Sequence, residues 1–98
     1  MITRVVKLTF HPAHTQAFIK IMQEHQKMIR NFPGCLDLHA YQDISASNIF
    51  FTISKWENDS ALNHYRYSEF FKTLWSKLKP LFAEKAMAHS MDVLLQSS

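Results

Sequence analysis

Residues 48–75, NIFFTISKWENDSALNHYRYSEFFKTLW, decide how this chain reads. They hold eight of its thirteen aromatic residues: Phe50, Phe51, Trp56, Tyr65, Tyr67, Phe70, Phe71 and Trp75. Asn48 to Trp56 is apolar at nearly every position, which predicts a strand buried on both faces. The remainder predicts two short helical stretches with polar starts, one at Asn58 or Asp59 and one at Ser68. Ser68 as an internal N-cap sets a break near Tyr67. A strand leading from Trp56 into helices with aromatic teeth makes an apolar slot between sheet and helix. That slot is either ordinary core or a site for a flat hydrophobic ligand, and the functional question turns on the choice.

Outward from this stretch the pattern is regular. Ile2 to Phe10 alternates and is rich in β-branched residues, which predicts a first strand. Pro12 suits a first helical turn. Phe18, Met22, His25 and Ile29, joined by Ile21 and Met28, predict one broad apolar stripe on a helix of about five turns. Asn31 to Gly34 (NFPG) ends it, because Pro33 cannot continue the ladder and Gly34 tolerates positive φ. Cys35 to Asp43 reads as a second strand and Ser45 to Asn48 as a polar turn. Helical turns run from Asp59 to about Lys79, and Pro80 closes them. Ala86 to Leu95 reads as a last strand, with Met87, His89, Met91, Val93 and Leu95 on one side.

The predicted order is strand, helix, strand, strand, helix, strand. This is the α+β, ferredoxin-like βαββαβ arrangement, a four-stranded antiparallel sheet with both helices on one face. The other face is apolar too, since Ile49, Phe51 and Ile53 alternate with Phe50, Thr52, Ser54 and Trp56. Soluble monomers avoid so large a bare apolar face, so the pattern predicts a homodimer with the two sheets packed together.

Composition narrows the field. At 98 residues the chain makes a single domain, 1–98. Its 47% hydrophobic and 19% charged content describes a globular protein. The net charge of +3 is spread from Arg4 to Lys85 without a basic stripe, which argues against nucleic-acid binding. Gly34 is the only glycine, so no dinucleotide fingerprint or phosphate-cradling loop is available. The single cysteine, Cys35, excludes an internal disulfide and a cysteine zinc cluster. Arg4 and Lys7 interrupt the apolar run of MITRVVKLTF, unlike a secretory leader, and no apolar stretch approaches the ~20 residues that span a bilayer. The expectation is a cytoplasmic protein with no membrane segment. None of the six histidines has a strong metal-site spacing, so no metal site is expected.

Three stretches carry a resemblance: NFPGCL at 31–36, FTISKWE at 51–57, and DSAL at 59–62 running on into YRYS and FF. Together they resemble the antibiotic-biosynthesis-monooxygenase (ABM) superfamily of dimeric α/β barrels, over nearly the whole chain. The resemblance implies a homodimer with a pocket in each subunit between sheet and helices. It implies a cofactor-independent monooxygenase acting on an aromatic quinol or polyphenol, using molecular oxygen without metal or flavin. The alternative is a non-catalytic ligand-binding or structural homodimer of the same fold. Two departures bear on this choice. The family's polycyclic-phenol oxygenases carry an Asn four positions before the strand-ending Trp and a Tyr six positions after it; Thr52 and Leu62 stand there, and only Trp56 is retained. Haem degradation is disfavoured, because the axial histidine's place is taken by Trp75 and the first-strand Asn falls near Val6.

The candidate catalytic residues are Trp56, Tyr65 and His64. Trp56 either stacks on a flat ligand and holds its oxygen through the indole N–H, or simply closes the core at a strand end. Tyr65 could donate to a substrate carbonyl or phenolate. His64 lies beside it, one residue out of register with the family's histidines. The candidate substrate-binding residues are Thr52, Ser54, Trp75, His39 and His89. Thr52 and Ser54 share the face of Trp56 by alternation, and Trp75 belongs to the helix–sheet interface. His39 and His89 fall on strands at opposite sheet edges. They either meet across a dimer as acid and base or are two independent surface histidines. Arg66 either binds a carboxylate or phenolate or is solvated. Cys35 reads as a small apolar group.

Overall fold

The computed structural model describes residues 1–97. Four strands form one antiparallel sheet: β1 (Ile2–Thr9), β2 (Cys35–Gln42), β3 (Ile49–Trp56) and β4 (Met87–Met91). Their spatial order is β2-β3-β1-β4. Three helices complete the fold: α1 (Thr15–Arg30), α2 (Asp59–Arg66) and α3 (Glu69–Leu78). Short 3-10 turns precede α1 at Pro12–His14 and follow α3 at Lys79–Leu81. This is the ferredoxin-like α+β arrangement expected from the sequence.

The helical region after β3 breaks where its caps place the break. The Asn58 side chain accepts from the Ala61 N–H at 2.9 Å and starts α2. Ser68 accepts from the Phe71 N–H at 3.1 Å and starts α3, while its hydroxyl donates to the Tyr65 carbonyl at 2.6 Å. Tyr67 sits at the junction as the C-cap of α2. Gly34 has a φ of 85°, and a Cβ there would overlap the Cβ of Ala61. The loop before β2 therefore lies directly on α2, fixed by the Glu57 N–H donating to the Gly34 carbonyl at 2.9 Å.

Cross-strand register assigns each residue to a face. Ile2, Arg4, Val6 and Leu8 of β1 lie opposite Trp56, Ser54, Thr52 and Phe50 of β3, and this set faces the helices. Leu8, Phe10, Phe18, Ile29, Phe50, Leu74 and Leu78 form one buried cluster. Ile2, Cys35, Trp56 and Leu62 form a second. On the far face lie Val5, Lys7, Phe51, Ile53, Tyr41, Met87 and Met91. Met87 and Met91 there are exposed, as is Tyr41. A bulge at Leu36 shifts the register between Cys35 and Asp37, which brings Leu38 opposite Ser54.

Two expectations need correction. The last strand ends at Met91, short of the predicted Leu95, and Val93, Leu94 and Leu95 are exposed. The reason is its partner: the ladder ends at Thr3 opposite Met91, and β1 itself begins at Ile2. Alternation continues in the sequence after the hydrogen-bonding edge has run out. Met28 is not part of the buried stripe of α1 but exposed, because it lies about 100° around the helix from Ile29. Among the described residues, no helix is long and apolar enough to cross a membrane.

Candidate functional site

The slot predicted beside Trp56 is open. A cavity of about 300 Å³ lies between the helix-facing side of the sheet and the helices. Its cause is visible in the register. The two ends of β3 carry large rings, Phe50 and Trp56, and both are buried. Between them the row carries Thr52 and Ser54, opposite Val6 and Arg4 of β1, with Ala88 of β4 beside Val6. The small side chains of Thr52, Ser54, Val6 and Ala88 leave a gap that the rings of α2 and α3 border without filling. Tyr65, Phe71 and Trp75 form that far wall.

Trp56 is completely buried and its ring stacks on Tyr65, with centroids 5.0 Å apart. Its indole N–H donates to the Ser54 hydroxyl at 2.9 Å. That donor is therefore engaged inside the protein, and Trp56 backs the cavity wall behind the stacked Tyr65 ring. Ser54 serves as its partner. Thr52, the next residue of this face, also lines the cavity. Burial pushes the Tyr65 hydroxyl well above the ordinary tyrosine range, with Cys35 adding to the rise. Tyr65 is thus a neutral phenol, able to donate a hydrogen bond but not to act as a base. Trp75 stacks on Phe71 at 5.4 Å and extends the aromatic wall.

The cavity gathers Trp56, Tyr65, Thr52, Ser54 and Trp75, and leaves the three histidine candidates elsewhere. His64 is exposed, lies 5.7 Å from Phe32, and borders a shallow surface depression with Gly34 and Asn58. The one-residue offset noticed in the sequence is enough to turn it away. His39 and His89 occupy the far face of the sheet, in the same row but on opposite edge strands: His39 pairs with Ile53, Ile53 with Val5, and Val5 with His89. Three strand spacings separate them, about 14 Å at backbone level. Within one chain they neither meet nor reach the cavity.

Some site features escaped sequence reading. His39 has a carboxylate partner, with Nε2 3.2 Å from an Asp37 oxygen; residues i and i+2 of one strand share a face, which is the signal that could have found it. Arg4 also lines the cavity. Its alternation with Ile2, Val6 and Leu8 could have placed it there. His25 is a locally bonded histidine, its Nδ1 2.7 Å from the Ile21 carbonyl oxygen. Cys35 is buried, and that burial raises its thiol pKa, as suits a packing residue.

Comparison with known proteins follows the geometry. The family profile described as antibiotic biosynthesis monooxygenase matches residues 1–75. A crystal structure described as an antibiotic biosynthesis monooxygenase is similar to this chain with a TM-score of 0.90 at 19% identity, covering 97% of this chain and 100% of that one. A conserved protein from Methanosarcina mazei Go1 gives 0.86 at 21% identity, over 93% and 91% of the two chains. PA3566 from Pseudomonas aeruginosa gives 0.85 at 23% identity, over 96% and 94%. At these identities the likeness is one of fold. No curated protein sequence matches.

Proposed function

Because this chain belongs to the antibiotic biosynthesis monooxygenase family, we propose that its cavity binds a small aromatic quinol or phenol and that oxygen oxidises it there without a cofactor. The observation that supports this reading is the open, aromatic-walled space of about 300 Å³ at the place where a purely structural core would be solid. In such a reaction the ionised substrate is itself the reductant. A ring C–H of the phenol becomes a carbonyl and its C–OH a second carbonyl, one atom of oxygen enters the quinone product, and the other leaves as water with the ring and hydroxyl hydrogens. The protein contributes desolvation, orientation and hydrogen bonds. The stacked pair Trp56 and Tyr65 forms one wall of the ring's site, and Thr52 and Tyr65 offer hydroxyls to its oxygens. The bare sheet face is covered by a second copy of the chain, and the dimer acts in the cytoplasm.

A second reading is a binding protein without turnover. It is favoured by the cavity lining, which contains no Asp, Glu or His to serve as a base, and by the engaged N–H of Trp56. Oxygen consumption with a panel of anthrones and quinols separates the two, with wild type beside Trp56→Phe and Thr52→Val. The oxygenase reading expects turnover that drops at least about tenfold in one or both variants. Quenching of tryptophan fluorescence by the panel without oxygen uptake would replace it with the binding reading.

A further inference from the structure

Two arginines, Arg4 and Arg66, line the otherwise largely apolar cavity. Of its lining residues, Tyr67 and Ala88 are exposed and Arg4 and Arg66 are half-buried; Arg66 precedes Tyr67, and Arg4 lies opposite Ser90, two residues along β4 from Ala88. Arg4 comes from the helix-facing side of β1 and Arg66 is the last residue of α2. Neither has a carboxylate partner: the ion pairs among the described residues are His39 with Asp37 and Lys72 with Glu69. Arg4 donates from Nη1 to the Ser90 hydroxyl at 2.9 Å. The Arg66 guanidinium carbon lies 6.0 Å from the centre of the Tyr67 ring. Burial lowers the pKa of Arg4, and the charge of Arg66 lowers it further. The two cations of the lining therefore repel each other.

Arginine stays protonated in proteins, so this cost cannot be relieved by losing a proton. It can be relieved by an anion, and a planar carboxylate or a phenolate matches the guanidinium donors. We infer that the cavity takes a small aromatic monoanion, its carboxylate or phenolate oxygen held between Arg4 and Arg66 and its ring among Leu38, Trp56, Tyr65 and Phe71. The inference rests on the cavity being a ligand site, as proposed above, and adds the charge of the ligand. A volume of about 300 Å³ sits at the small end of ligand pockets and fits one or two rings better than four. The arrangement also supplies what the lining lacks. A phenol entering without a protein base to receive its proton ionises more readily beside two cations, and its proton leaves to water at the open end.

The test compares 2-naphthoate with its neutral isostere 2-naphthamide on the full chain, by calorimetry and by quenching of Trp56 and Trp75 fluorescence. Wild type is expected to bind the naphthoate at least about tenfold more tightly, with an advantage that shrinks as salt is added. Arg4→Gln and Arg66→Gln should each lose most of that advantage, weakening naphthoate binding much more than naphthamide binding, and the double variant should bind both alike. Circular dichroism checks that each variant folds, and the wild-type comparison and its salt dependence stand without any variant. Equal binding of the two probes by wild type, or variants that weaken both equally, would overturn the anion site while leaving the ligand cavity intact. Binding of neither would overturn both.

Discussion

The two faces of the sheet are made by the same strands and have opposite fates. On the helix side, Phe50 and Trp56 are buried at the two ends of β3, and the middle of the row is hollow. On the far side, Phe51 and Ile53 are only half-buried, with no helix above them. One face is covered and has a hole; the other is continuous and uncovered. The difference shows that apolar alternation specifies which side of a strand avoids water, while the sizes of the side chains decide whether the covered side is solid. The cavity on the helix side follows from Thr52 and Ser54 being small, and the apolar far side follows from Phe51 and Ile53 being large.

The strongest way to break this contrast is to truncate one large ring on each face. Trp56→Ala should cost about 3–5 kcal/mol in urea unfolding, independent of protein concentration, because a fully buried indole leaves a void. Phe51→Asp should cost roughly 1 kcal/mol or less in the monomer. Its effect should fall on assembly, seen as a monomer in sedimentation and as loss of any concentration dependence in Tm. Equal, concentration-independent losses would mean that both faces are core. A smaller effect sharpens the account of the hollow row. Ser54→Ala removes the acceptor of the Trp56 N–H and should cost about 1–3 kcal/mol by thermal or urea melting, since a buried donor is left unpaired. A neutral outcome would show that the indole finds another partner inside the cavity.

The gentlest test concerns pH. Tyr65 has a folded pKa raised above the ordinary tyrosine value of about 10, chiefly by burial. The unfolded chain therefore loses that proton first. Stability from this group is fully present below about pH 10 and is lost as pH rises from there through the folded pKa. Tyr65→Phe should flatten the fall of stability on the alkaline side and leave neutral-pH behaviour little changed. An identical alkaline slope in the variant would place the titration elsewhere.

Local chemistry carried most of the architecture into the sequence. Asn58 and Ser68 announce two helix starts because their side chains do the capping. Strand alternation sorted Thr52, Ser54 and Trp56 onto one face. What stayed hidden depends on partners remote in sequence. The end of β4 is set by where β1 begins, not by the residues that follow Met91. The bond from Trp56 to Ser54 depends on rotamers, which alternation does not specify. Arg4 was visible as a charge in an apolar strand, but its two-cation setting requires α2 to end above it, which is a matter of packing.

Gly34 has one more consequence. Among the described residues it alone has positive φ, and no other residue adopts it. Every other described backbone position is thus free of that steric restriction. A fold built this way can drift far in sequence while keeping its shape, as the superpositions at about one-fifth identity illustrate. Substitution at Gly34 must both strain the backbone and push the loop off Ala61. Among the described residues, the backbone's one position that excludes a side chain on steric grounds turns on a single hydrogen atom.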